Sequence, residues 1–130
     1  ILDGERVYGL LTTQSTGVVD GKEAWNLMEN ETLKYSIVKK FDSTSFEQAG
    51  QMISVLLPFS NGKYYEEYLV NAAALTEEFA RRNFVLQERT FVIDNLPEFE
   101  AKSSNMASKL SKIDKIYLSI FSELVYKRTK

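Results

Sequence analysis

The chain has 130 residues, 16 of them Lys or Arg and 18 Asp or Glu, which fits one domain of near-neutral charge whose core needs no metal or disulfide clamp. It contains no Cys and no His, which excludes thiol and imidazole nucleophiles, Ser-His-Asp arrangements, histidine-ligated haem and zinc sites built from Cys and His. Six Gly and two Pro leave few tight turns, which argues for a few long elements over a sandwich or small barrel, and no apolar run reaches the ~18 residues that cross a membrane.

Residues 1–19 are polar and weakly patterned and read as an extended N-terminal arm, with a short helix through Val7, Leu10 and Leu11 as the alternative. The chain starts at Ile1, as a processed or an excised start would. Asp20 and Glu23 have capping-box spacing, and Ala24, Met28, Tyr35 and Val38 follow at roughly helical intervals, so helix one is expected over about 20–40. The competing reading ends that helix at Asn30 and makes 32–39 a strand, because Leu33, Tyr35 and Ile37 alternate with their neighbours.

Thr44 and Glu47 form a second capping pair ahead of Phe46, Ile53 and Leu57, which predicts helix two ending at Pro58. Ser60-Asn61-Gly62 is the clearest turn, since Asn and Gly tolerate positive φ. Tyr65, Tyr68, Ala72, Leu75 and Phe79 have the spacing of a packed helix face, continued through the apolar stretch 84–93 as a buried helix three. After Asn95-Leu96-Pro97, Met106, Leu110, Ile113, Tyr117, Ile120 and Leu124 step by alternate fours and threes, which predicts helix four over about 98–127. The expected fold is therefore all-α: an up-and-down four-helix bundle over 20–130 behind the arm 1–19. The alternative is α+β with three short strands near 6–13, 32–39 and 84–93.

Chemistry is sparse. Glu77 with Arg81 and Glu78 with Arg82 have the i, i+4 order of helix ion pairs, and without His the Glu pairs do not make a di-iron site. No glycine spacing writes a phosphate cradle, and Asn30-Glu31-Thr32 reads as a chance sequon. No catalytic, cofactor-binding or metal residue is assigned, and an enzyme is not expected. Tyr64, Tyr65, Tyr68 and Trp25 read as core-edge aromatics, with an exposed docking patch as the sharper alternative. Charge is uneven: residues 1–100 hold 9 basic and 16 acidic side chains, residues 101–130 hold 7 and 2. Lys109, Lys112 and Lys115 on the last helix are the candidate partner-docking residues, while Lys127 and Arg128 read as cations at a helix C-terminus. A pI near 5.3 argues against nucleic acid.

The sequence resembles the PsbQ family of extrinsic photosystem II proteins through Lys22-x-Ala24-Trp25 with Leu27, Ile93-Asp94-Asn95-Leu96, Ala101-Lys102, Ala107-x-Lys109, and the closing apolar positions Ile120 and Leu124. The resemblance implies a non-catalytic subunit in the thylakoid lumen, peripheral to the membrane, its targeting segment removed. It would dock on the photosystem II core or other extrinsic subunits and help the oxygen-evolving complex retain calcium and chloride. The alternatives are an extracytoplasmic sensor domain whose first and last helices continue into membrane spans, and a generic helical assembly protein.

Overall fold

The computed structural model describes residues 1–102 and 110–129 and is a mixed α/β structure. The chain divides into two compact units, Asp3–Ala72 and Ile1–Leu2 with Ala73–Lys130.

The first unit is a meander. Helix α1 (Gly4–Thr13) precedes a five-stranded antiparallel sheet of β1 (Gly17–Val19), β2 (Lys22–Glu29), β3 (Thr32–Lys39), β4 (Met52–Leu56) and β5 (Tyr64–Tyr68), in spatial order β1-β2-β3-β4-β5. Its turns are chemically specified. Asp20-Gly21 (φ 50° and 77°) and Asn30-Glu31 (φ 51° and 64°) place two successive left-handed residues between β1 and β2 and between β2 and β3. That is the primed geometry whose twist suits hairpins. Asn61 and Gly62, at φ 54° and 75°, lie in the β4–β5 connection. The longer connection from β3 to β4 is organised by the buried Gln51 side chain, which accepts from the Glu47 amide at 2.9 Å and donates to Ser43 Oγ at 2.6 Å and the Ser45 carbonyl at 2.9 Å.

α1 is capped by Asp3, whose carboxylate accepts from the Arg6 amide at 3.1 Å, and it packs against β2 and β3. Val7 and Leu11 are fully enclosed, and Tyr8 stacks on Phe41 with ring centroids 5.7 Å apart. Cross-strand pairing of Trp25 with Ile37, and Ile37 with Val55, makes an apolar row through the sheet centre, each residue of it buried. Each such side chain is worth about 1.5–3 kcal/mol on leaving water. Gly4 is required where it stands: its amide donates to the Val70 carbonyl at 3.0 Å, and a Cβ would collide with that oxygen.

The second unit is helix α2 (Ala72–Ala80), a two-stranded antiparallel ribbon of β6 (Phe84–Phe91) and β7 (Ser122–Arg128), a 3-10 turn over Val92–Asn95, and helices α3 (Leu96–Lys102) and α4 (Lys112–Leu118). A two-stranded ribbon is marginal unless something packs on it. Here Phe79 of α2 meets Tyr126 edge-on at 4.4 Å and Phe84 at 5.9 Å, and Thr76 Oγ1 hydrogen-bonds Tyr126 OH at 3.0 Å. Ile1–Leu2 runs beside the start of β7, with Leu2 bridged to Phe121 and the Ser122 amide donating to the Ile1 carbonyl at 2.9 Å.

The four-helix bundle is therefore corrected, and the α+β alternative is corrected in its strand number and at 6–13, which is helical, whereas 32–39 is β3 and 84–93 contains β6. The extended arm is instead largely α1, the short helix given as its alternative, and not the strand near 6–13 of the α+β reading. Helix one is the β1–β2–β3 meander: Asp20 and Glu23 have cap spacing, but Asp20-Gly21 is a hairpin turn. Helix two is a loop followed by β4. In helix three only Ala72–Ala80 is helical, because Tyr64, Tyr65 and Tyr68 suit a pleated edge and Phe84–Phe91 pairs with β7. Helix four keeps helical segments at 98–102, within α3, and at Lys112–Leu118, the latter opened by a capping box between Ser111 and Asp114, but Ile120 lies in a turn and Leu124 in β7. Alternation of Leu124 and Tyr126 with Glu123, Val125 and Lys127 competes there with the heptad steps, and pairing with β6 decides it.

Candidate functional site

Edge strand β5 is the first surface that draws attention. Register puts Trp25, Ile37, Val55 and Tyr65 in one row, and Asn26, Ser36, Leu56 and Tyr64 in a row on the opposite face. Ser36 is fully buried, and its hydroxyl donates to Asn26 Oδ1 at 2.6 Å. Tyr64, Tyr65 and Tyr68 are all exposed, with Tyr65 on the face opposite Tyr64 and Tyr68, and Phe59 in the preceding connection is 80% exposed. Trp25, by contrast, is buried.

Glu66 and Glu67 are neighbours in sequence but lie on opposite faces of β5, so they make no acid pair. Burial raises the Glu67 carboxyl above its ordinary value, opposed by a hydrogen bond from Tyr65. Burial also raises the Tyr65 phenol, and the charge of Glu67 adds to it.

Two cavities lie in the second unit. One of about 320 Å³ is lined by Val92, Ile93, Leu96, Phe99, Leu110 and Leu118. The other, of about 510 Å³, is bordered by Leu75, Phe79, Leu124, Tyr126 and the buried Ser122, whose Oγ has no hydrogen-bond partner among the described residues. Their walls are mainly apolar, with Glu123 the one side chain of net charge among those lining the two. No group of three or more acidic side chains among the described residues is arranged to hold a metal ion. No described helix is long and apolar enough to cross a membrane.

The strongest charge feature is the open end of the ribbon, away from the connection between its strands. Antiparallel register pairs Phe84 with Arg128 and Val85 with Lys127, so the last two cations of β7 stand beside the first residues of β6. Arg81 and Arg82 fall in the turn immediately before β6. The ribbon end is tied down: the Thr129 amide and hydroxyl both donate to the Asn83 carbonyl, at 2.8 and 3.0 Å. Glu78 serves both guanidinium groups, with Arg82 at 2.8 Å and Arg81 in close contact, while the expected Glu77–Arg81 pair does not form. Hydrogen bonding from Arg82, then the charge of Arg81, holds the Glu78 carboxyl below its ordinary value. Lys127 and Arg128 are exposed and make no ion pair with any described residue.

The docking lysines expected from the sequence are not gathered at this end. Lys109 lies outside the described residues, Lys112 is the exposed first residue of α4, and Lys115 on the same helix pairs with Glu100 of α3 at 3.2 Å. Sequence reasoning missed Lys127 and Arg128 because it placed them on a helix. The available signal was the alternation of Leu124 and Tyr126 with polar neighbours, opposite the β-favouring segment 84–91.

No family model matches the chain. Curated relatives do match, and each is named mRNA-capping enzyme of African swine fever virus. A tick isolate from South Africa is 39% identical over 118 residues, a pig isolate from Kenya 40%, and the Vero-adapted Badajoz strain 38%. Each match covers 91% of this chain, and the chain spans only 13% of the length of the relatives.

These relatives overturn the PsbQ resemblance. With it go photosystem II and its extrinsic subunits as partners, the thylakoid lumen, and calcium and chloride retention. The sensor and helical-assembly alternatives fall as well, since they required a bundle and the relatives point elsewhere. The relatives carry an enzyme's name and one that concerns mRNA, which corrects both the expectation of a non-enzyme and the dismissal of nucleic acid. Among the described residues the resembling positions fall on β2, the 3-10 turn, the two ends of α3, the turn after α4 and β7, while Ala107-x-Lys109 lies outside the described residues.

Proposed function

We propose that the chain is a segment of an mRNA-capping enzyme and serves cap formation at RNA 5′ ends. The observation that carries this reading is the 39% identity over 118 residues. A match of that length is longer than either compact unit, so it extends through parts of both and is not one short motif. The substrate of cap formation is a polyanion, and the cationic end of the ribbon supplies the surface chemistry such a substrate calls for.

The test uses the longer protein that contains this chain. It is incubated with 5′-triphosphate RNA, GTP labelled at the α-phosphate and a divalent cation, and the RNA is digested to release its 5′ end. Label recovered as a cap dinucleotide, and lost when residues 1–130 are deleted, is the expected result. A protein that forms no cap, or forms it equally well without this segment, overturns the reading.

A further inference from the structure

We propose that the open end of the β6–β7 ribbon binds the phosphate backbone of RNA through Lys127 and Arg128, with Arg81 and Arg82 beside them. That the polyanion is RNA rests on the capping reading; the site itself rests on charge and register.

Three observations carry it. First, sequence-distant cations converge: residues 81–82 and 127–128 are brought to one end of the ribbon by the Phe84–Arg128 and Val85–Lys127 pairs. Second, their charge is under-compensated. Arg81 and Arg82 share the single carboxylate of Glu78, and Lys127 and Arg128 have no ion pair among the described residues. Third, the platform is held in place by the Phe79–Tyr126–Phe84 cluster on one face and by the Thr129–Asn83 hydrogen bonds at the tip. Consecutive strand residues point to opposite faces, so Arg128 lies on the Phe84 face and Lys127 on the Val85 face. Donors on both faces suit a strand of phosphates passing across the tip better than a single small anion.

The partly neutralised arginines decide which substitutions matter most. Glu78 already occupies donors of both guanidinium groups, whereas Lys127 and Arg128 are free to exchange counterions for phosphate. For single-stranded nucleic acid each neutralised phosphate contributes about 0.7 to the slope of log K against log salt.

The experiment measures binding of a fluorescein-labelled single-stranded 5′-hydroxyl RNA by anisotropy, across a range of KCl, to the whole chain. That RNA is not a capping substrate, so the outcome is independent of whether cap formation is observed. Lys127→Ala/Arg128→Ala is expected to weaken binding several-fold and lower the salt slope by about 1.4. The charge-conserving Lys127→Arg/Arg128→Lys is expected to retain both. Lys112→Ala/Lys115→Ala, which removes the same charge from α4, is expected to leave the slope unchanged. Far-ultraviolet circular dichroism checks that each variant keeps its fold. No binding by the parent chain, or an unchanged slope in a folded Lys127→Ala/Arg128→Ala variant, overturns the proposal. Binding confined to 5′-triphosphate RNA and displaced by inorganic tripolyphosphate also overturns it, because the ligand is then the terminal group and not the backbone.

Discussion

The two units of this chain are stabilised differently and carry opposite charge. Asp3–Ala72 holds six basic and ten acidic side chains, and a buried row of Trp25, Ile37 and Val55 runs through its sheet. In the other unit, Ala73–Lys130 holds ten basic and eight acidic side chains, and its ribbon residues other than Ser122 are half-buried or exposed. The difference teaches where to look for chemistry. The sheet spends its apolar residues on a core, whereas the ribbon depends on a small aromatic cluster and leaves Lys127 and Arg128 without an ion pair to any described residue.

Truncation in the sheet is the severest way to probe that contrast. Ile37→Ala removes a fully buried side chain from the central row, and a loss of about 3 kcal/mol is expected in urea denaturation. A loss below about 1 kcal/mol would mean the central row is not the main support of that unit. Next in size, Gly4→Ala forces a Cβ against the Val70 carbonyl, which must shift backbone and cost about 2 kcal/mol by the same measurement. A neutral Gly4→Ala would show that the contact between the start of α1 and Val70 is dispensable.

Phe79→Ala tests the ribbon side. Phe79 is half-buried, so about 2 kcal/mol is expected, with faster amide exchange at Phe84 and Tyr126 read by hydrogen–deuterium exchange. Unchanged protection there would break the claim that the aromatic cluster holds the ribbon.

The smallest expected effect is pH-dependent. Burial raises the folded-state pKa of Glu67 above its ordinary value, so its folded state favours the protonated form. Its contribution is fully present below the ordinary Glu pKa and is lost as pH rises through the raised value. Glu67→Gln is therefore expected to be more stable than the parent at neutral pH, by about half a kcal/mol or less given partial exposure, and to lose that advantage on acidification. A parent chain whose midpoint changes with pH as that of Glu67→Gln does would remove Glu67 from the account.

Much of the local structure was written in the residues, but as competing signals. Leu33, Tyr35 and Ile37 alternate and do form β3, and Asn61-Gly62 does turn the chain. Asp20 was misleading for a physical reason: the same short carboxylate that caps helices also tolerates positive φ, and only the following Gly21 favours the hairpin. The heptad steps from Leu110 to Leu124 combine the helical positions Ile113 and Tyr117 of α4 with Leu124 of β7, which matches by coincidence of spacing. The cationic ribbon end was not legible because it depends on pairing residues 84–85 with 127–128, a long-range register that no local pattern encodes.

The central claim is that RNA is met at the ribbon tip and not on the acidic sheet unit. Ultraviolet cross-linking of 4-thiouridine RNA to the chain, mapped by mass spectrometry of the cross-linked peptides, tests it directly. Adducts are expected within residues 81–85 and 126–129; adducts confined to Asp3–Ala72 would contradict binding at the ribbon tip.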